Sequence, residues 1–260
     1  MTDRKLNLLH SWFLIAAVSA LAVGLWRLGM VVHAGTPPVF ARADHLAFAA
    51  VLSLGSVLLV GLALRLEKAR VPPIGFVRPA AALVGAGWWL VPAVAGLAIA
   101  VVAGWGRIEL LAAPTEAAGK ALALLGLVFL SEALPEELIF RGWMQSRLTR
   151  LLGPWGGVLG QAALFTAFAV VIGAAPDLMQ IGFIAAFGVA LGVLRAASGS
   201  LWVPLGFHLI FMTVQQSYGG GWDLIAVDLP EMTRMLILAQ IPFALVIALQ
   251  FGQVARFRPT

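Results

Sequence analysis

The chain has 260 residues, 61% of them hydrophobic and 11% charged, with a net charge of +5 and no cysteine. A soluble domain carries about a quarter charged residues, so too little polar surface remains here to cover a water-facing particle, and most side chains must meet lipid or one another. The absence of cysteine excludes disulfides and thiolate metal sites. The positive charge does not mark a nucleic-acid binder, because the basic residues sit between apolar runs rather than in a patch interleaved with aromatics. Membrane lipids with anionic headgroups are the expected partner.

Eight apolar runs follow in chain order: 11–32, 44–65, 80–103, 119–141, 155–174, 178–195, 200–217 and 231–251. At ~20 apolar residues per crossing, they predict an all-α polytopic membrane helix bundle of about eight transmembrane helices, forming a single membrane domain over 1–260. The N-terminus starts as a signal peptide would, but its apolar run continues from Ser11 past Val32, interrupted by Arg27. A signal core spans about 7–15 residues, so an uncleaved first span is expected. The linkers holding Pro37-Pro38 and Pro72-Pro73 read as turns, and 142–154 reads as a loop. Trp88 and Trp89 lie deep in the third run and read as packing residues. Trp12, Trp143, Trp155 and Trp202 fall at one interface and Trp105 and Trp222 at the other, as aromatic belts would.

Loop charges orient the bundle. One side, holding both termini, carries Arg4, Lys5, Arg65, Lys68, Arg70, Arg78, Arg141, Arg147, Arg150, Arg195, Arg256 and Arg258. The other carries Arg42, Arg107, Lys120 and Arg234, with most of the acids. The excess predicts cytoplasmic termini, and an even number of spans agrees with it. A bacterial inner (plasma) membrane is the expected location.

The chemistry concentrates at the end of the fourth run, in Ser131-Glu132-Ala133-Leu134-Pro135-Glu136-Glu137-Leu138-Ile139-Phe140-Arg141-Gly142. Carboxylates at membrane depth are costly and face a bundle interior, where they mark function. Glu137 and Arg141, four apart, would pair along one helix face. That leaves Glu132 and Glu136 facing another way without a partner on their own helix. Pro135 removes a backbone hydrogen bond and predicts a kink. Of the four histidines, His10, His33 and His45 lie near span ends, whereas His208 lies inside the seventh run. At ~1.5 Å rise per residue, His208 sits ~10 Å and Glu136 and Glu137 ~6–8 Å inside the same interface. A shared carboxylate–imidazole site, in a cavity opening toward the cytoplasm, is therefore expected.

The run from Pro135 to Gly142 resembles the first motif, EExxxR, of the CAAX prenyl protease and bacteriocin-processing family of intramembrane proteases. Gly199-Ser200-Leu201-Trp202, Pro204 and His208 resemble the segment bearing that family's third motif, HxxxN, and the likeness spans a core of about 119–215. It implies an endopeptidase that cleaves membrane-associated or lipidated proteins with glutamate- and histidine-activated water. By position Glu136 would be the base, Glu137 and Arg141 its neighbours, and His208 a ligand to water or metal. The second motif, FxxxH, is degenerate: in Phe165-Thr166-Ala167-Phe168-Ala169 an alanine replaces the histidine. In the third, Met212 replaces the asparagine. What remains offers carboxylates and one histidine, a weak divalent-metal (zinc) site, so no cofactor is assigned. Gln161 is the one strongly polar side chain of the fifth run and a candidate to orient water. Two functions follow: an intramembrane endopeptidase, or an impaired pseudo-protease serving as a binding or scaffold subunit for a membrane-anchored partner. A transporter would more often show discontinuous helices in both halves.

Overall fold

The computed structural model describes residues 3–33, 43–67, 74–218, 222 and 224–257. The linkers with Pro37-Pro38 and Pro72-Pro73 lie outside the described residues, as do Arg42, Lys68, Arg70 and Arg258 of the charge count. The helices are α1 Asp3–His33, α2 Ala43–Leu66, α3 Ala81–Val102, α4 Pro114–Val128, α5 Leu134–Glu136, α6 Gln145–Ile172, α7 Leu178–Ser198, α8 Trp202–Ser217, α9 Glu231–Met235 and α10 Ile241–Val254. They follow the apolar runs closely, and the fold is an all-α membrane bundle.

Six helices among the described residues are long and apolar enough to cross a membrane. The eight runs map onto them in two unequal ways. Pro114–Ile172 is one helical path of 59 residues that takes up two runs, broken at Gly153, whose φ of 80° and ψ of 175° are non-helical. The seventh run forms α8, which has 16 residues. The outward faces are apolar: Leu58, Leu83, Leu122 and Val102 are 72%, 75%, 71% and 89% exposed, a surface that suits hydrocarbon rather than water.

The expected 142–154 loop is instead helical as far as Leu152. Gln145, Ser146, Arg147 and Thr149 are all buried there, and the Arg147 guanidinium pairs with Glu67 of the segment after α2. Polar residues that look like a solvated loop in one dimension thus find partners inside the bundle. The belt reading fails for two tryptophans for the same reason: Trp143 is 1% exposed and Trp222 is 7% exposed. Trp89 is a packing residue, its indole N–H donating to the Leu238 carbonyl at 2.8 Å.

Two short strands, β1 Arg107–Leu110 and β2 Ile225–Asp228, pair antiparallel with Arg107 opposite Asp228. They were not legible as strands, being four residues each. They lie at the end of the bundle away from the termini, termed the far end below; the opposite end, where α2 and α10 finish and α3 begins, is the termini end.

Glycine sets the placement of α8. A Cβ on Gly85 would overlap the Val203 carbonyl, and one on Gly206 would overlap the Ala82 carbonyl. Two helices without side chains at their crossing approach backbone to backbone, as small residues allow in membranes. This crossing fixes the helix that carries His208 two residues further on.

Candidate active site

Pro135 does not simply kink its helix. The backbone widens into π-helical turns on both sides of it, Phe129–Ala133 and Glu137–Met144, so that the Leu134 N–H bonds the Phe129 carbonyl five residues back. Such turns rotate the following side chains relative to an α-helix and concentrate at functional sites. Here they bring Glu136 and Glu137 toward α8.

Glu137 is fully buried and so is Arg141. Oε1 of Glu137 accepts from the Arg141 guanidinium at 3.1 Å. The same oxygen lies 2.9 Å from Nδ1 of His208, which is 1% exposed. An imidazole whose Nδ1–H donates to a carboxylate has its tautomer fixed, leaving Nε2 with a free lone pair. That Nε2 points toward Glu136, whose Oε2 is 3.8 Å away, a separation that one water spans. The Phe187 ring stands edge-on to the imidazole, 4.9 Å between centroids, and Arg141 lies 4.3 Å from the centre of the Phe165 ring. Both contacts hold the polar groups in one orientation.

A cavity of about 710 Å³ adjoins these groups, lined among others by Glu132, Glu136, His208, Phe165, Phe183 and Phe211. Glu137 and Arg141 are not among its lining residues; they sit behind it. Ala169 and Met212, the two positions that depart from the family pattern, both line it. Glu132, expected to lack a partner on its own helix, finds one on another: Gln216 of α8 donates to its Oε1 at 2.8 Å. Gln216 went unnoticed, although it lies eight residues beyond His208 and so on the same helical face.

Two expectations are corrected. Gln161 does not reach the cavity: its amide donates to the Gly188 carbonyl at 2.7 Å and to the Val158 carbonyl at 3.0 Å, joining α6 to α7. The cavity does not run toward the termini end either. It extends to the far end, where its exposed lining residues are Ala174, Gln180 and Glu231. Toward the termini, the segment 74–80 closes over the bundle instead: the Gly75 carbonyl accepts from the Leu201 N–H at 2.8 Å and the Val77 carbonyl from the Ser200 hydroxyl at 3.0 Å.

Among the described residues no group of three or more His, Asp or Glu is placed to hold a metal ion. The ligating groups at the bottom of the cavity are Glu132, already bonded to Gln216, with Glu136 and His208; Glu231 lies apart at the exposed far end, and Ala169 and Met212 supply neither nitrogen nor oxygen. This donor set does not fit a zinc site, which takes three or four well-placed ligands.

The fold and site are thus a helical membrane bundle with a buried Glu–Arg–His cluster behind an aromatic-walled cavity. Residues 118–214 match the family model described as type II CAAX prenyl endopeptidase Rce1-like, so the core of the chain is similar to that family. No curated protein and no solved structure matches the chain significantly.

Proposed function

We propose that the chain is a slow intramembrane endopeptidase in which Glu136 is the general base and His208 holds the attacking water. The observation carrying this reading is the orientation of His208: Nδ1 is engaged by Glu137 at 2.9 Å, and Nε2 faces Glu136 in the cavity. A water between Nε2 and Oε2 would be held at both sides. Glu136 takes its proton as the oxygen attacks a peptide carbonyl, then returns it to the leaving amine. Glu137 and Arg141 are positioning residues, since Glu137 touches the imidazole, Arg141 holds Glu137, and neither lines the cavity. The step proceeds without a metal in this proposal. The aromatic walls suit an apolar, membrane-associated or lipidated polypeptide.

A second reading has its own support: the cavity is intact at Ala169 and Met212 yet lacks polar groups there. A pseudo-protease would bind a membrane-anchored partner in the same place without cutting it. One assay separates the two. Purified protein is incubated with a panel of membrane-anchored peptides beside Glu136→Ala; slow cleavage lost in the variant supports the peptidase, and no cleavage with retained peptide binding supports the binding subunit.

We further propose eight crossings in a bacterial inner membrane, with both termini cytoplasmic. Reporter fusions at Thr260 and within 219–229 are expected to report opposite sides, and a non-cytoplasmic C-terminus would sink this topology.

A further inference from the structure

The depth profile of the bundle is asymmetric about the carboxylates. Most of the cavity lining comes from the far halves of the helices, with Met30 of α1, Phe48 of α2, Ala169 of α6, Gln180 of α7 and Gln216 of α8 as representatives, while His208, near the middle of α8, stands at its bottom. On the other side of Glu136 and His208 the packing is continuous. Ile139, Phe140, Trp143 and Leu201 are all at most 1% exposed. Outside that layer lies the 74–80 segment, whose Gly75 adopts φ +92° so close to the Arg195 guanidinium and the Leu201 amide that a Cβ would strike both. The Ile74 carbonyl accepts from Arg195 at 3.4 Å, and Phe76 stacks edge-on to Trp202 at 5.3 Å. A water-filled path through this layer would need several of these contacts to open at once.

We propose that the site is a blind well loaded from the far end, so that its substrate is an apolar polypeptide segment presented at the membrane face opposite the termini. The proposal deepens the function given above and rests on the well being the substrate site. It reverses the side of access that the sequence alone suggested. With cytoplasmic termini, the segment taken would be one displayed on the outer side of the membrane. The scissile bond would descend past Glu231 and Gln180 to reach Glu136, and the 74–80 segment would act as the floor.

The chain contains no cysteine, which makes the test direct. Single variants Met212→Cys and Gln215→Cys place a thiol on the cavity wall, with Pro176→Cys as a far-end reference and Arg256→Cys as a termini-end reference, both wild-type residues being exposed. Each full-length variant is treated with a charged, membrane-impermeant methanethiosulfonate in right-side-out and in inverted vesicles. The cavity thiols are expected to label in the same vesicle preparation as Pro176→Cys and to stay unlabelled in the preparation where Arg256→Cys reacts. Labelling alongside Arg256→Cys would overturn the proposal. So would failure to label in both preparations, provided the thiols react after denaturation. Cleavage that depends on Glu136 together with labelling from the termini end would sink the direction of loading while leaving the peptidase reading in place.

Discussion

The two halves of the bundle treat polar residues in opposite ways. At the termini end, Glu137, Arg141, Gln145, Arg147 and Arg195 are each at most 5% exposed and locked against neighbouring helices. On the far side of that packing, Glu132, Glu136 and His208 border a space large enough for a ligand. The family's first motif is divided between them: Glu137 and Arg141 belong to the packed half, and Glu136 faces the cavity. Both departures from the family pattern, Ala169 and Met212, fall in the cavity half. Keeping the motif therefore shows that the scaffold is kept, because half of the motif is scaffold, whereas the capacity for chemistry rests on the few groups that reach the cavity.

The sharpest way to break this comparison is to restore the cavity. A preorganised polar group at a hydrolytic site is worth ~10²–10³ in rate. The double variant Ala169→His with Met212→Asn is therefore expected to raise cleavage of a membrane-anchored peptide by ~10⁴-fold or more if the two gains add, and by less if the two act as a unit. Wild-type turnover already insensitive to these positions, yet abolished by Glu136→Ala, would show that the missing groups are dispensable. The packed half should answer to the opposite readout. Removing one partner of a buried ion pair leaves the other charge unpaired, at ~3–5 kcal/mol. Glu137→Leu and Arg141→Leu should each lower unfolding stability in mixed micelles by that order, and the double variant should recover part of the loss. Equal stability of Glu137→Leu and wild type would remove Glu137 from the scaffold.

How much of this was legible follows the same division. Helix positions were readable, since a membrane span is written as a long apolar run and its length is set by the bilayer. The meeting of Glu137 with His208 was readable from depth alone. The polar interior of 142–152 was not, because buried and solvated polar residues look alike until their partners are known, and those of Arg147 and Gln145 are distant in sequence. The direction of the cavity was hidden for a related reason. It depends on which end the 74–80 segment covers, and nothing local to Ile74 or Gly75 announces that they pack on Gly142 and Leu201.

The α3–α8 crossing joins the two halves and gives a smaller, mixed effect. Gly206→Ala would push a methyl group into the Ala82 backbone. Overpacking of this kind costs ~1–3 kcal/mol. Since His208 lies two residues away, the variant is expected to lose stability and also to weaken any His208-dependent step, read as a fall in kcat at unchanged peptide binding. A stable variant with unchanged kcat would mean that the crossing does not set the imidazole.

The smallest effect is expected where an ion pair resembles Glu137–Arg141 in chemistry but stands in the other environment. Arg107 approaches Asp228 across the strand pair at 3.4 Å and Glu109 at 3.3 Å, with all three side chains more than half exposed. Water already solvates these charges, so pairing them recovers little and costs side-chain freedom. Exposed pairs of this kind contribute ~0.2–1 kcal/mol. Asp228→Asn keeps the side chain's shape and hydrogen-bonding capacity while removing its charge, and Arg107 retains Glu109 as a neighbour. The expected loss of stability therefore lies at the bottom of that range, and added salt should shrink it further, because screening acts on exposed charges. Salt should leave the Glu137→Leu loss nearly unchanged, since ions do not enter the packed half. A salt-insensitive loss at Asp228 as large as that at Glu137 would show that the far-end strands are sequestered from water, and the contrast between the two ends would then fail.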